Sequence, residues 1–162
     1  MDPRVVAGLV VALYLALVLP TVARHGISWD EQTDLAVASA YADAPAGWLL
    51  GSDLEAYNVR LPAYTAGLVF AVIGEPSLLA ARLLSCAIGA ATLVAVFLFA
   101  RSAFDPRTGL VAAAILATCP FFLANAKSGF TDGDIFVTGA LAWVLVCLER
   151  LRRRRRSPSE WC

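Results

Sequence analysis

The sequence predicts an all-α protein, a polytopic transmembrane helical bundle of about four spans with interfacial helices in its first extracytoplasmic loop. Three observations carry that expectation. The composition is 59% hydrophobic and 16% charged with a mean hydropathy of +0.70, which is too apolar for a water-soluble domain of 162 residues. Residues 5–23, 83–100, 109–126 and 134–149 are apolar enough to be considered as crossings of a hydrocarbon core about 30 Å thick. The formal net charge is zero, yet Asp30, Glu31, Asp34, Asp43, Asp53 and Glu55 fall in one segment and Arg150 with Arg152 to Arg156 in another. That separation sets a topology.

The first run is longer than the apolar region of a secretory signal, and Val22-Ala23-Arg24 is a poor cleavage site, so it reads as a retained span. A loop over residues 24–81 follows. Within it Ser28-Trp29-Asp30-Glu31 has the form of a capping box, in which a serine and a glutamate three residues on satisfy each other's backbone N–H groups. The helix it opens should end near Ala42-Asp43-Ala44-Pro45, with Asp30 in its first turn. Residues 61–74, bracketed by Pro62 and Gly74, form a fifth apolar run that is short for a crossing and is assigned to the outer interface. Ala81, Ser85 and Gly89 recur every four residues on the second span, as do Gly109, Ala113 and Ala117 on the third, so these spans should approach closely. Asp105-Pro106 with Gly109 makes the turn between them. The fourth span has only about fourteen apolar residues, which requires little tilt or an Asp134 that dips toward the membrane plane.

Cytoplasmic loops gather Lys and Arg. Arg101, Arg107 and the arginine block all fall inside if residues 61–74 do not cross. Both termini are then cytoplasmic, in the plasma (inner) membrane, with residues 24–81 and 127–134 outside. The organisation is a membrane region over residues 1–151 and a basic cytoplasmic tail over 152–162. An arginine block directly after an apolar run is a topology signal with affinity for anionic membrane lipids, so no nucleic-acid partner is inferred. Cys86, Cys119 and Cys147 lie in apolar runs and Cys162 is the last residue, a pattern that suggests neither a disulfide framework nor a zinc site.

This topology puts Asp30-Glu31 and Asp132 with Asp134 on one outer face. Carboxylates at a membrane surface can deprotonate an acceptor hydroxyl, or bind a hard divalent cation that neutralises a phosphate. The plainer readings stand beside these: Asp30 and Glu31 favouring a helix N-terminus through its dipole, Asp132 capping the fourth span, and Arg60 and Lys127 anchoring to lipid headgroups.

The ordered set of a first span, Asp30-Glu31, Arg60-Leu61-Pro62-Ala63-Tyr64, Ala81-Arg82-Leu83-Leu84-Ser85, Ala100-Arg101, Gly109-Leu110-Val111-Ala112-Ala113, Thr118-Cys119-Pro120, Ala126-Lys127 and Asp132 resembles the GT-C membrane glycosyltransferases. The nearest in kind are the protein O-mannosyltransferases and aminoarabinose transferases. Departures are Leu61-Pro62 where the family often has Pro-Pro, and Lys127 where it commonly has Arg. The resemblance implies transfer of a sugar from a polyprenyl-phosphate donor to an extracytoplasmic hydroxyl acceptor, usually with inversion. It makes Asp30 the catalytic carboxylate or acceptor-positioning base, has Glu31 assist or cap, and has Asp132 support Asp30 or share a divalent metal ion with it. Arg60 and Lys127 face the donor phosphate. Enzymes of this kind are several times longer, so the chain is expected to be their N-terminal part and inactive alone. The rival reading is a non-enzymatic membrane assembly subunit or degenerate fragment. A small transporter is disfavoured because the acids sit at one face rather than along a path.

Overall fold

The computed structural model describes residues 2–24, 26–43, 60–129 and 134–156, without the side chains of Asp30, Arg60 and Arg156. Among the described residues there are seven helices and no strand: α1 (Pro3–Val22), α2 (Trp29–Asp43), α3 (Arg60–Ile73), α4 (Leu78–Ala103), α5 (Pro106–Thr118), α6 (Pro120–Lys127) and α7 (Asp134–Arg156). The chain is an all-helical membrane bundle, as expected from its composition.

Local chemistry explains where the helices start. Asp2 accepts from the Arg4 N–H ahead of Pro3 (2.8 Å), and Ser77 Oγ accepts from the Ala80 N–H at the head of α4 (3.3 Å). Asp105 accepts from the N–H groups of Arg107 and Thr108 and from the Thr108 hydroxyl, with Pro106 in the first helical position. Between α3 and α4 the chain turns at Gly74, whose φ of 84° lies in the left-handed region open to glycine.

Helix α4 is the centre of the bundle, with α1, α5, α6 and α7 packed on it. Its neighbours fix the direction of each element. Arg4 shares a cavity with Arg101, while Val22 meets Arg82, so α1 runs antiparallel to α4. Gly109 lies against the Phe97–Arg101 backbone and Ala126 against Cys86, so α5 and α6 return along it. Gly139 lies against Thr92, and Val146 shares the arginine-lined cavity with Leu98, so α7 runs parallel to α4. One end of the bundle therefore collects Arg4, Arg101, Arg107 and the arginines of α7, and the other Glu31, Glu75 and Asp134.

The small residues that the spacing singled out are buried on both helices, but they serve different partners. A Cβ on Gly109 would stand 2.9 Å from the Phe97 carbonyl oxygen, so glycine sets the α4–α5 approach. Gly89 instead faces the hydroxyl of Tyr14 from α1, which donates to the Cys86 carbonyl (3.1 Å). Tyr14 also tilts against Phe122, and with Val18, Leu93 and Ala117 it builds the main core. The α2–α3 pair makes a second core from Val37, Ala38, Tyr41, Ala63, Ala66 and Phe70. It joins the bundle through Ala81, near the start of α4. At 14 residues, α3 is about 21 Å long, short of a hydrocarbon core.

The crossings differ from the sequence expectation in two places. The run over 109–126 is not one straight span: α5 and α6 meet at a bend of 61°. Pro120 forces Cys119 into an extended conformation (φ −67°, ψ 119°), and the Thr118 hydroxyl donates to the Ala114 and Ile115 carbonyls of the last turn of α5. Two helices, α1 and α4, are long and apolar enough to cross, or three elements if the bent pair is one span. In α7, Glu149 and Arg150 end the apolar stretch. The helix nevertheless continues to Arg156, held by Glu149 paired with Arg152 (2.7 Å) and Arg153 (3.0 Å) one turn on.

Candidate functional site

At the end of the bundle away from the arginines, the capping box at the head of α2 forms as its sequence indicates. The Glu31 N–H donates to Ser28 Oγ (3.1 Å) and the Ser28 N–H to Glu31 Oε2 (3.2 Å). A surface capping box leaves its glutamate in water, whereas Glu31 here is 0% exposed. Its charge is met by Arg82, itself 3% exposed, whose Nε donates to Oε1 (2.9 Å) and Nη2 to Oε2 (2.8 Å). This is the two-pronged geometry that a planar guanidinium offers a carboxylate.

Three separate segments converge on this pair. Arg82 Nη1 donates to the carbonyl of Val22, the last residue of α1 (3.0 Å), and Nη2 to the carbonyl of Gly26 (3.0 Å). The guanidinium thus satisfies an orphan carbonyl and places positive charge at the negative end of the α1 dipole. The Gly129 N–H donates to Glu31 Oε1 (2.7 Å), which ties in the chain just after α6. Glycine fits there because a Cβ would press on Ala81 and Arg82 at 3.3 Å. Burial pushes the Glu31 carboxyl up, but the hydrogen bonds from Arg82, Gly129 and Ser28 and the Arg82 charge outweigh it, and the group lies below the usual carboxylate range.

Each Glu31 oxygen accepts two hydrogen bonds, which fills the acceptor capacity of a carboxylate. Of the roles the sequence left for Glu31, assisting and capping, this geometry is that of the cap, extended into a buried clasp. Glu31 ties the head of α2 to α4 and to the chain after α6. Asp30 lies beside it in the first turn of α2. Lys127 ends α6, half-buried, two residues before Gly129, and pairs with no carboxylate among the described residues. Asp132 lies outside the described residues, as do the side chains of Asp30 and Arg60. Among the described residues no group of three or more His, Cys, Asp or Glu side chains is arranged to hold a metal ion, and Glu31 has no lone pair to offer one.

Sequence reasoning missed Arg82 as the partner of Glu31. The signal available was a lone arginine among the apolar residues that open α4, a position that demands a partner. Its partner lies 51 residues away, beyond any spacing rule.

Residues 60–162 match the family model described as dolichyl-phosphate-mannose-protein mannosyltransferase. Neither a curated protein nor a solved structure matches the chain significantly.

Proposed function

Because the chain belongs to the dolichyl-phosphate-mannose-protein mannosyltransferase family, among the GT-C membrane glycosyltransferases, we propose that it serves sugar transfer from a polyprenyl-phosphate donor to a hydroxyl acceptor on the outer membrane face. The observation that carries this reading is the Glu31–Arg82–Gly129 clasp, which draws the segment bearing Asp30 to the end of α6 that bears Lys127. Orientation follows from charge: the arginine end faces the cytoplasm, so the clasp faces outward, where such acceptors stand.

In the proposed reaction the acceptor oxygen attacks the anomeric carbon from the face opposite the phosphate. Asp30 takes the hydroxyl proton, the anomeric C–O bond to phosphate breaks, and polyprenyl phosphate departs with its negative charge met by Arg60 and Lys127. The configuration inverts. A carboxylate base contributes about 10²–10⁴ in rate. Glu31 is a positioning residue: it fixes the helix turn that carries Asp30. Asp132, three residues beyond Gly129, assists Asp30. A divalent ion shared by Asp30 and Asp132 would help to neutralise the donor phosphate and make transfer sensitive to chelation.

Positioning both substrates supplies much of a transferase's rate, and the cavity between α6 and α7 at this end is about 290 Å³, small for a lipid-linked sugar together with its acceptor. The purified chain should therefore bind polyprenyl phosphate without turning over, and transfer is measured in native membranes containing it. With radiolabelled polyprenyl-phosphate mannose, Asp30→Asn is expected to lower transfer by about 10² or more while leaving the melting temperature unchanged, because asparagine keeps the size and capping ability of the side chain. Unchanged transfer would return Asp30 to a helix-terminus role. Lipid binding without transfer in native membranes would favour a non-enzymatic subunit.

A further inference from the structure

At the opposite end of the bundle two cavities adjoin. One, of about 420 Å³, lies between α1, α4 and α5, has apolar walls from residues such as Val11, Leu93 and Phe97, and is bordered by Arg4 and Arg101. The other, about 330 Å³, shares Arg4, Leu98 and Arg101 with it and adds Arg150 and Arg153. Both volumes fall in the range of about 300–1,000 Å³ typical of small-molecule sites.

Charge in these cavities is one-sided. Among the described residues the one carboxylate in their lining, Glu149, is already committed to Arg152 and Arg153. Arg4, Arg101 and Arg150 pair with no carboxylate among the described residues, and Arg101 has only the edge of a contact with the Phe97 ring (5.9 Å). Three cations from three helices thus converge at the mouth of an apolar groove at a membrane surface. The complement of that arrangement is an amphiphile with a phosphate head and an acyl tail.

We propose that this end of the bundle holds one anionic glycerophospholipid of the cytoplasmic leaflet, its phosphate between Arg4, Arg101 and Arg150 and one acyl chain in the groove between α1, α4 and α5. Basic pockets between membrane helices are suited to such headgroups, and each arginine contributes about fivefold in affinity. The lipid would tie α1 and α7 to α4 at the end where the clasp is absent.

Native mass spectrometry of the purified chain in detergent, with phosphatidylglycerol or phosphatidylcholine added, tests the proposal. One phosphatidylglycerol per chain should be retained in preference to phosphatidylcholine. Arg4→Ala and Arg101→Ala should each weaken retention about fivefold, and Arg107→Ala, which lines neither cavity, should not. Gly8 lines the groove, and a Cβ there meets nothing within 4 Å, so Gly8→Phe should fill the groove and displace the lipid with no change of charge. Equal loss with Arg107→Ala and none with Gly8→Phe would reduce the site to general surface attraction and overturn it. So would equal retention of phosphatidylcholine, or displacement by an equal concentration of polyprenyl phosphate. Should Arg101→Ala fail to give a monodisperse protein, Arg4→Ala and Gly8→Phe decide alone.

Discussion

Replacing Arg82 by methionine keeps the length and apolar packing of the side chain and removes its charge. Glu31 then keeps its burial and loses both guanidinium hydrogen bonds, while the Val22 and Gly26 carbonyls lose theirs. Removing one partner of a buried ion pair costs about 3–5 kcal/mol, because the remaining charge stays uncompensated. At roughly 2–4 °C per kcal/mol for a chain of this size, the melting temperature should fall by about 6–20 °C. The assay is circular dichroism of the purified protein in detergent, with Glu31→Gln and the Glu31→Gln/Arg82→Met pair alongside. The pair should melt above Arg82→Met alone, since the glutamine oxygen still accepts from Gly129 and no buried charge is left. A change below about 2 °C for Arg82→Met, or single-variant effects that merely add in the double, would show that the clasp does not hold the fold together.

Glu31 also gives the protein an acid limit. Its folded pKa lies below its ordinary value of 4.5, so its contribution to stability is full above that value and is lost as pH falls through the folded one; the melting temperature should decline below about pH 4.5, and Glu31→Gln should flatten that decline. Gly109→Leu puts side-chain atoms into the Phe97 and Arg101 backbone and should cost about 1–3 kcal/mol by prising α5 from α4, read as a lower melting temperature; an unchanged one would mean the two helices part without cost. Single cysteines at positions 53 and 105, in a chain freed of its own cysteines, should react with a membrane-impermeant thiol reagent from opposite sides of the membrane; labelling from the same side would refute the topology.

The helices were legible in the sequence because apolar runs and capping residues are local signals. Ser28 and Glu31 declare a capping box three residues apart, and Asp105-Pro106 declares the start of α5. The bend at Cys119 was carried by Pro120 yet lay hidden inside an apolar run. Hydropathy is blind to backbone direction, and Pro20 stands within α1 without ending it, so a proline alone does not settle the matter. The length of α7 was hidden for the opposite reason. Its arginines end the apolar pattern while their pairing with Glu149 lets the helix persist. At the candidate site the sequence supplied Asp30, Glu31 and Lys127 as separate features. That Glu31 is neutralised by Arg82 and tied to Gly129 depends on contacts 51 and 98 residues apart, which only folding brings together.

The bend between α5 and α6 also shortens the reach of that pair along the bundle. With α5 along the membrane normal, its 13 residues and the 8 of α6 tilted by 61° reach about 25 Å. The 14 apolar residues of α7, which stands beside α6, reach about 21 Å. At the centre α4, with 26 residues, reaches about 39 Å, and α1 beside it, with 20, about 30 Å. The elements packed on α4 therefore differ in reach, and the shorter ones, α5 with α6 and α7, include the helix that leads to Gly129 and the clasp. For the proposed lipid-linked donor, the proline that breaks α5 from α6 would shorten the hydrocarbon to be matched on the way to the clasp.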